Sequence, residues 1–172
     1  MKDIIQFTTD IQDSFITSLG FRTFIPAKTL HIISCNSAAQ LLTIARKQPI
    51  DIIMSMYTSP TPDSLHARKL GLSPALFPLL KKKHIALGFA FRDIITCTSA
   101  DIKALIIGRM MSLVNICRAY HIPMVLCSFA TTTWELRGAR DLWSFGRMIG
   151  MTGKEATDAL HFNRPQKSVR LL

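Results

Sequence analysis

The chain has 172 residues, the length of one domain, and 48% of them are hydrophobic, enough for a sizeable core and too many for a disordered chain. Lys and Arg total 21 against 11 Asp and Glu, a net charge of +10 that favours a polyanionic partner, nucleic acid before membrane. No apolar stretch reaches membrane-spanning length, and acids interrupt the opening MKDIIQFTTDIQD, which excludes a signal peptide. The expectation is a soluble cytoplasmic protein.

The charge is uneven. Residues 1–80 carry 7 basic and 5 acidic groups, whereas residues 81–172 carry 14 and 6. Any electrostatic footprint therefore belongs to the second half. Cys35, Cys97, Cys117 and Cys127 are far apart among apolar neighbours, form no CxxC, and read as small core residues rather than zinc ligands.

In chain order, 3–7 (DIIQF) reads as a first strand, and 11–21 as a helix whose Ile11, Phe15, Ile16 and Leu19 share a face, stopped at Gly20. A strand over 29–35 precedes a helix capped at Asn36 or Ser37, with Ala38, Leu41, Leu42 and Ala45 in one stripe; Pro49 ends it. Residues 50–57 form a buried strand. The span 58–74 holds three of the eight prolines and reads as an irregular loop. A short helix over 74–83 leads into a strand over 84–91.

The strongest helical pattern covers 99–123. Ser99 or Thr98 caps it, Pro123 closes it, and Ile102, Leu105, Ile106, Leu113, Ile116, Cys117 and Tyr120 fall on one side. A strand over 124–130 follows, then helices near 133–149 and 153–161. Thr152 and Glu155 stand at capping-box positions of the second. A basic tail, 163–172, ends the chain.

Strand–helix alternation, with strands apolar on both faces, means an α/β fold with parallel strands; a doubly wound sheet and a barrel both fit. In either, functional loops gather beyond the carboxyl ends of the strands.

Enzyme signatures are mostly absent: there is no GxGxxG after a strand, no Walker A and no GxSxG. His31, His66, His84, His121 and His161 are scattered, with His31 and His84 read as structural and His66 as solvated. Asp51, Asp93 and Asp141 flank strands, and a pair of them offers at most a thin basis for Mg²⁺.

The cations say more. Lys81, Lys82 and Lys83 end a helix, where they either offset its dipole or contact phosphate. Arg92 follows a strand beside Asp93, its potential partner. Arg109 falls inside the apolar arc of the 99–123 helix. It either pairs with a buried acid or aims at a partner covering that face. Arg118 points to the solvated side. On a helix, Arg137, Arg140 and Arg147 would make one ridge near Trp134 and Trp143, and both tryptophans read as core.

The stretch NICRAYHIPMVLCSFATTTWELRGARDLWSFGRMIGMTGKEATDAL resembles the C-terminal half of the ribonuclease P protein component 3 family, the archaeal form of the 30-kDa ribonuclease P subunit. Cys117, Arg118, Tyr120, Pro123, Ser128, Ala130, Leu136, Arg137, Arg140, Asp141, Gly150, Met151 and Ala156 carry the match, supported by HIALGFAFRDII. The resemblance covers about residues 30–162.

It implies one (β/α) barrel-like domain, TIM-barrel-like and PHP-related, over 1–172, without catalytic residues or a bound cofactor of its own. Such subunits pair with ribonuclease P protein component 2 and support ribonuclease P RNA, which removes the 5′ leader of precursor tRNA using Mg²⁺. Relative to the family, the chain is short, its N-terminal barrel units are trimmed, and the loop 58–74 has no counterpart.

On this reading Arg92, Arg118, Arg137 and Arg140 contribute most to RNA binding, Lys81–Lys83 less specifically, with Arg109 a further candidate. The alternatives are a metal-dependent phosphoesterase or other hydrolase on a related barrel, and an assembly scaffold whose charge merely aids solubility.

Overall fold

A computed structural model describes residues 1–6, 13–34, 38–58, 63, 70 and 72–162. Most of the 58–74 loop and the basic tail expected at 163–172 lie outside the described residues.

Six short strands run parallel: β1 (Lys2–Ile5), β2 (Thr23–Pro26), β3 (Ile32–Ser34), β4 (Ile52–Met54), β5 (Ala86–Ala90) and β6 (Met124–Cys127). β1 pairs with β2, and β3–β4–β5–β6 form a four-stranded sheet in sequence order. The registers include Ile53 opposite Leu87 and Gly88 opposite Val125. Backbone bonds from Phe129 N–H to Ile4 C=O (3.0 Å) and from Gln6 N–H to Ala130 C=O (2.8 Å) set β1 beside the chain leaving β6. Among the described residues no pairing joins β2 to β3.

The helices are α1 (Asp13–Ser18), α2 (Ala38–Lys47), α3 (Leu76–Lys83), α4 (Arg92–Ile95), α5 (Ala100–Tyr120), α6 (Ala139–Met148) and α7 (Gly153–Leu160). The period of two along the strands divides the core. Ile53, Leu87, Phe89 and Leu126 face the helices, with Leu113, Leu142 and Phe145 packed over them. Ile52, Met54, Ala86, Ala90, Val125 and Cys127 face the other way and meet Ile4 of β1. The inner positions of β5 are small for a reason. A Cβ placed on Gly88 would come within 1.9 Å of Met54 Sδ, so the Met54 side chain occupies the space that any larger residue would need.

The caps follow local chemistry. Ser99 Oγ accepts from Ile102 N–H at the start of α5, and Thr152 and Glu155 form the reciprocal box at the start of α7. α5 buries Ile106, Met110, Leu113, Val114 and Cys117, while Ile102 and Tyr120 lie exposed at its ends.

Several sequence readings need correction. The strand expected over 50–57 ends at Met54, where Ser55 turns left-handed and a 3-10 turn, Met56–Thr58, follows. The sequence does not mark β2, because the four residues Thr23–Pro26 carry too little pattern. The expected strand over 29–35 contracts to Ile32–Ser34 behind a 3-10 turn, Ala27–Thr29. The expected helix over 133–149 is a 3-10 turn, Thr133–Glu135, followed by α6, which starts only after Gly138. Arg137 is therefore off the helix, and no single ridge holds Arg137, Arg140 and Arg147.

Candidate nucleic-acid interface

The carboxyl ends of β4, β5 and β6 meet in a polar network. Ser55, just past β4, takes a left-handed conformation (φ 58°), as does Phe129 past β6 (φ 52°). Ser55 Oγ and Tyr57 Oη donate to the same Asp93 oxygen at 2.7 and 2.8 Å, while Tyr57 Oη accepts from Ala90 N–H at 2.8 Å. Burial, with Asp93 beside it, pushes the Tyr57 phenol well up, so it stays a neutral strut. Asp93 thus holds strand ends together and is not the partner of Arg92 suggested by their adjacency.

Arg92 instead approaches Glu135, with Nε 3.2 Å from Oε2, an ion pair without a directed hydrogen bond. Glu135 also accepts from the Thr131 amide (2.7 Å) and hydroxyl (2.9 Å). Burial pushes this carboxyl up, but the Thr131 bonds and Arg92 together hold it below the usual carboxylate value. Arg137 lies with its guanidinium carbon 5.7 Å from the centre of the Phe91 ring and donates to the carbonyls of Trp134 (3.0 Å) and Leu136 (2.7 Å). Trp134 sits between these anchors and is 89% exposed, which overturns its reading as core. Trp143 is half-buried and donates to Thr157 Oγ1 at 3.2 Å, while Arg147 stacks over its ring at 5.9 Å.

The other predicted cations are dispersed. Arg140 is exposed on the first turn of α6, makes no ion pair among the described residues, and lines a pocket of about 430 Å³ with Met1, Trp143 and Thr157. Lys81 and Lys82 are exposed at the end of α3, whereas Lys83 reaches across to the Ala45 and Arg46 carbonyls (2.6 and 2.9 Å) and caps α2. Arg118 is half-exposed but engaged, clamped by Glu155.

Arg109 is 1% exposed. It bonds Asp63 through Nε at 2.9 Å and a terminal nitrogen at 2.8 Å, and donates to the Tyr57 carbonyl at 3.2 Å. Of the two readings the sequence left open, this geometry is the internal pair. As a surface contact to RNA, Arg109 has to be withdrawn, because its guanidinium is buried and held by Asp63 and the Tyr57 carbonyl.

Nucleophiles and metal ligands are likewise committed. Burial pushes the Cys117 thiol up to about 12 and the Cys127 thiol well above its ordinary value, so neither is a ready thiolate. Asp51 receives the His31 amide at the amino end of β4, Asp93 lies at the carboxyl end of β5, and Asp141 caps Gly138 N–H at 3.3 Å. Among the described residues no three His, Cys, Asp or Glu side chains converge as a metal site, which is what the hydrolase alternative requires.

No family model matches. Three curated archaeal proteins named ribonuclease P protein component 3 do. The Thermococcus gammatolerans protein is 30% identical over 99 residues, 58% of this chain and 46% of the relative. The Thermococcus kodakarensis protein is 32% identical over 92 residues, 54% and 41%. The Methanosarcina mazei protein is 26% identical over 90 residues, 52% and 37%.

About half of this chain resembles ribonuclease P protein component 3.

The matched segment spans less than half the length of each of these relatives. In three dimensions the chain is similar to a chain of a cryo-EM structure of archaeal ribonuclease P with mature tRNA, with TM-score 0.69 and 12% identity, over 94% of this chain and 87% of that one. At that identity the likeness is one of fold: a mixed α/β arrangement with parallel sheets.

What sequence reasoning missed is the pairing of Arg92 with Glu135 and the outward Trp134. The run of threonines at 131–133 was the available signal. Thr is mostly an exposed residue type, so three in succession point to a solvent-facing stretch.

Proposed function

We propose that this chain is a non-catalytic protein subunit of ribonuclease P, which steadies the catalytic RNA during removal of the 5′ leader from precursor tRNA. The observation that carries the reading is the similarity of its segment to component 3 proteins of three archaea. The net charge of +10 and the exposed Arg140, Lys81 and Lys82 support it, since phosphate contacts require cations and neither a base nor a metal beside them.

The partners on this reading are ribonuclease P RNA, precursor tRNA indirectly, and protein subunits including component 2, in the cytoplasm. Mg²⁺ belongs to the chemistry of the RNA. We read the strands as one barrel-like domain left open between β2 and β3. In support, a single inner cluster draws Ile4, Ile25, Ile32, Ile52, Ala86 and Val125, one from each strand.

The test is recovery of the chain from its native cells with sequencing of bound RNA, followed by binding of the purified chain to ribonuclease P RNA across salt. Enrichment of that RNA, and affinity falling steeply as salt rises, are the expected results. Absence of that RNA, or hydrolysis of phosphate esters by the chain alone, overturns the reading.

A further inference from the structure

The most exposed large apolar side chain among the described residues is Trp134, at 89%. Its backbone is the opposite of loose. On one side, Glu135 fastens the 3-10 turn to the Thr131 amide and hydroxyl and to Arg92. On the other, Arg137 donates to the carbonyls of Trp134 and Leu136 while its guanidinium lies over the Phe91 ring. Leu136, two residues on, is buried beside Ile5 and Ala130 and roots the loop in the body of the fold. A turn anchored at three points holds an indole in water, an arrangement that leaves a large apolar surface uncovered in the free chain.

We propose that Trp134 is a stacking platform for an unpaired nucleobase of the bound RNA, with Arg137 beside it to meet the adjoining phosphate. This inference rests on the reading of the chain as an RNA-bound subunit and names a contact within it. The surroundings favour a base over a protein pocket. A tryptophan that anchors a protein interface stands in an apolar patch ringed by neutral contacts. Trp134 instead adjoins exposed Thr132 and Thr133 and the Arg137 cation; the other exposed large hydrophobics, Phe15, Ile102, Met111, Tyr120 and Met148, belong to helices α1, α5 and α6. An aromatic face set next to a cation is the arrangement that single-stranded nucleic acids use, because every base offers a π-face and every link a phosphate.

The side chain makes no contact that folding requires, so its removal should leave the fold intact. Binding of the full chain to ribonuclease P RNA transcribed from the same genome provides the assay, with Trp134→Ala and Trp134→Phe compared at one salt concentration. The expected result is binding about tenfold weaker for Trp134→Ala, the scale of one stacked base, an unchanged melting temperature, and near-complete recovery in Trp134→Phe. The slope of log affinity against log salt should not change, since no charge is lost.

In a Trp143→Phe background, where Trp134 is the sole indole, the same RNA should quench the remaining fluorescence, and a fully duplex RNA of equal length should not. If the chain binds ribonuclease P RNA with the expected salt dependence yet Trp134→Ala binds equally and no quenching occurs, the stacking contact is wrong while the subunit reading survives. If Trp134→Ala weakens only association with the other protein subunits, the platform serves a protein and the proposal is overturned. If the unaltered chain binds no such RNA, the subunit reading itself fails, and the stacking proposal with it.

Discussion

Arg118 and Glu155 meet in a two-pronged ion pair, Nε to Oε1 at 2.9 Å and a terminal nitrogen to Oε2 at 2.7 Å, that fastens the last turn of α5 to the first turn of α7. The same guanidinium donates to the Gly150 carbonyl (2.9 Å), and Glu155 Oε2 accepts the Thr152 amide (2.7 Å). One carboxylate thus closes a helix cap and joins two helices. The Arg118 hydrogen bonds come first in holding the Glu155 carboxyl down to about 2.

The sign of the pH effect follows. A carboxyl whose native value is depressed stabilises the fold above its unfolded value, about 4.3, and that contribution disappears as pH falls from there towards 2. Replacement of Glu155 by Gln should cost about 1 kcal/mol at pH 7, because solvent screens a half-exposed pair. It should also flatten the acid side of the stability profile. Urea melts at pH 7 and pH 3 check this: a difference between the two proteins that is as large at pH 3 as at pH 7 is incompatible with it.

The cations divide into those already engaged and those facing solvent. Arg140, Lys81 and Lys82 are exposed and unpaired among the described residues, while Arg118 is clamped. Arg140→Ala should weaken RNA binding and reduce the slope of log affinity against log salt by about 1, as one lost phosphate contact does. A salt titration of each single variant reads this directly, and an unchanged slope for Arg140→Ala removes that residue from the interface.

Arg109 should behave in the contrary way. Its guanidinium is spent on Asp63 and the Tyr57 carbonyl inside the fold. Arg109→Leu strands both partners and should cost about 3 kcal/mol, measured as a shift in the urea midpoint. The fraction that remains folded should bind RNA with unaltered affinity and salt slope. A fall in affinity without a loss of stability would place Arg109 at the interface after all.

The parts of the fold visible in the sequence were those fixed locally. Ser99, Thr152 and Glu155 announce helix starts through short-range hydrogen bonds, and the apolar run at Met124–Cys127 marks a strand covered on both faces. The position of Arg109 within the buried arc of α5 was also legible, but its partner was not. Asp63 lies 46 residues away in a proline-containing stretch of sequence, and no pattern within one helix reports such a contact. Residues 133–138 misled because Trp134, Glu135, Leu136 and Arg137 suit a helix intrinsically. Tertiary bonds from Glu135 to Thr131 and Arg92 hold them in a turn instead. The exposure of Trp134 depends on what does not pack against it, which no local pattern reports.

Asp3 and Ser128 supply the remaining test, at the seam between the two sheets. Asp3 is fully buried; Oδ1 accepts the amides of Ile4 (2.9 Å) and Ser128 (2.7 Å), and Oδ2 accepts the Ser128 hydroxyl. Burial pushes the carboxyl up to about 7, and the three hydrogen bonds only partly oppose it. In the unfolded chain the same group releases its proton near the ordinary value, about 3.9. Between those values the native state holds a proton that the unfolded state has lost. Stability is therefore greatest below about 4, declines as pH rises to about 7, and is level above it as far as this group is concerned. Asparagine can keep an accepting oxygen for the amides and offer an N–H to the Ser128 hydroxyl without carrying charge. Asp3→Asn should accordingly match or exceed the stability of the unaltered chain at pH 8 and abolish the decline between pH 4 and 7. Melting temperatures across pH 4–8 check it. If Asp3→Asn loses stability at pH 8, the charge of the carboxylate stabilises the fold there, and Asp3 is an anionic clasp between β1 and the end of β6.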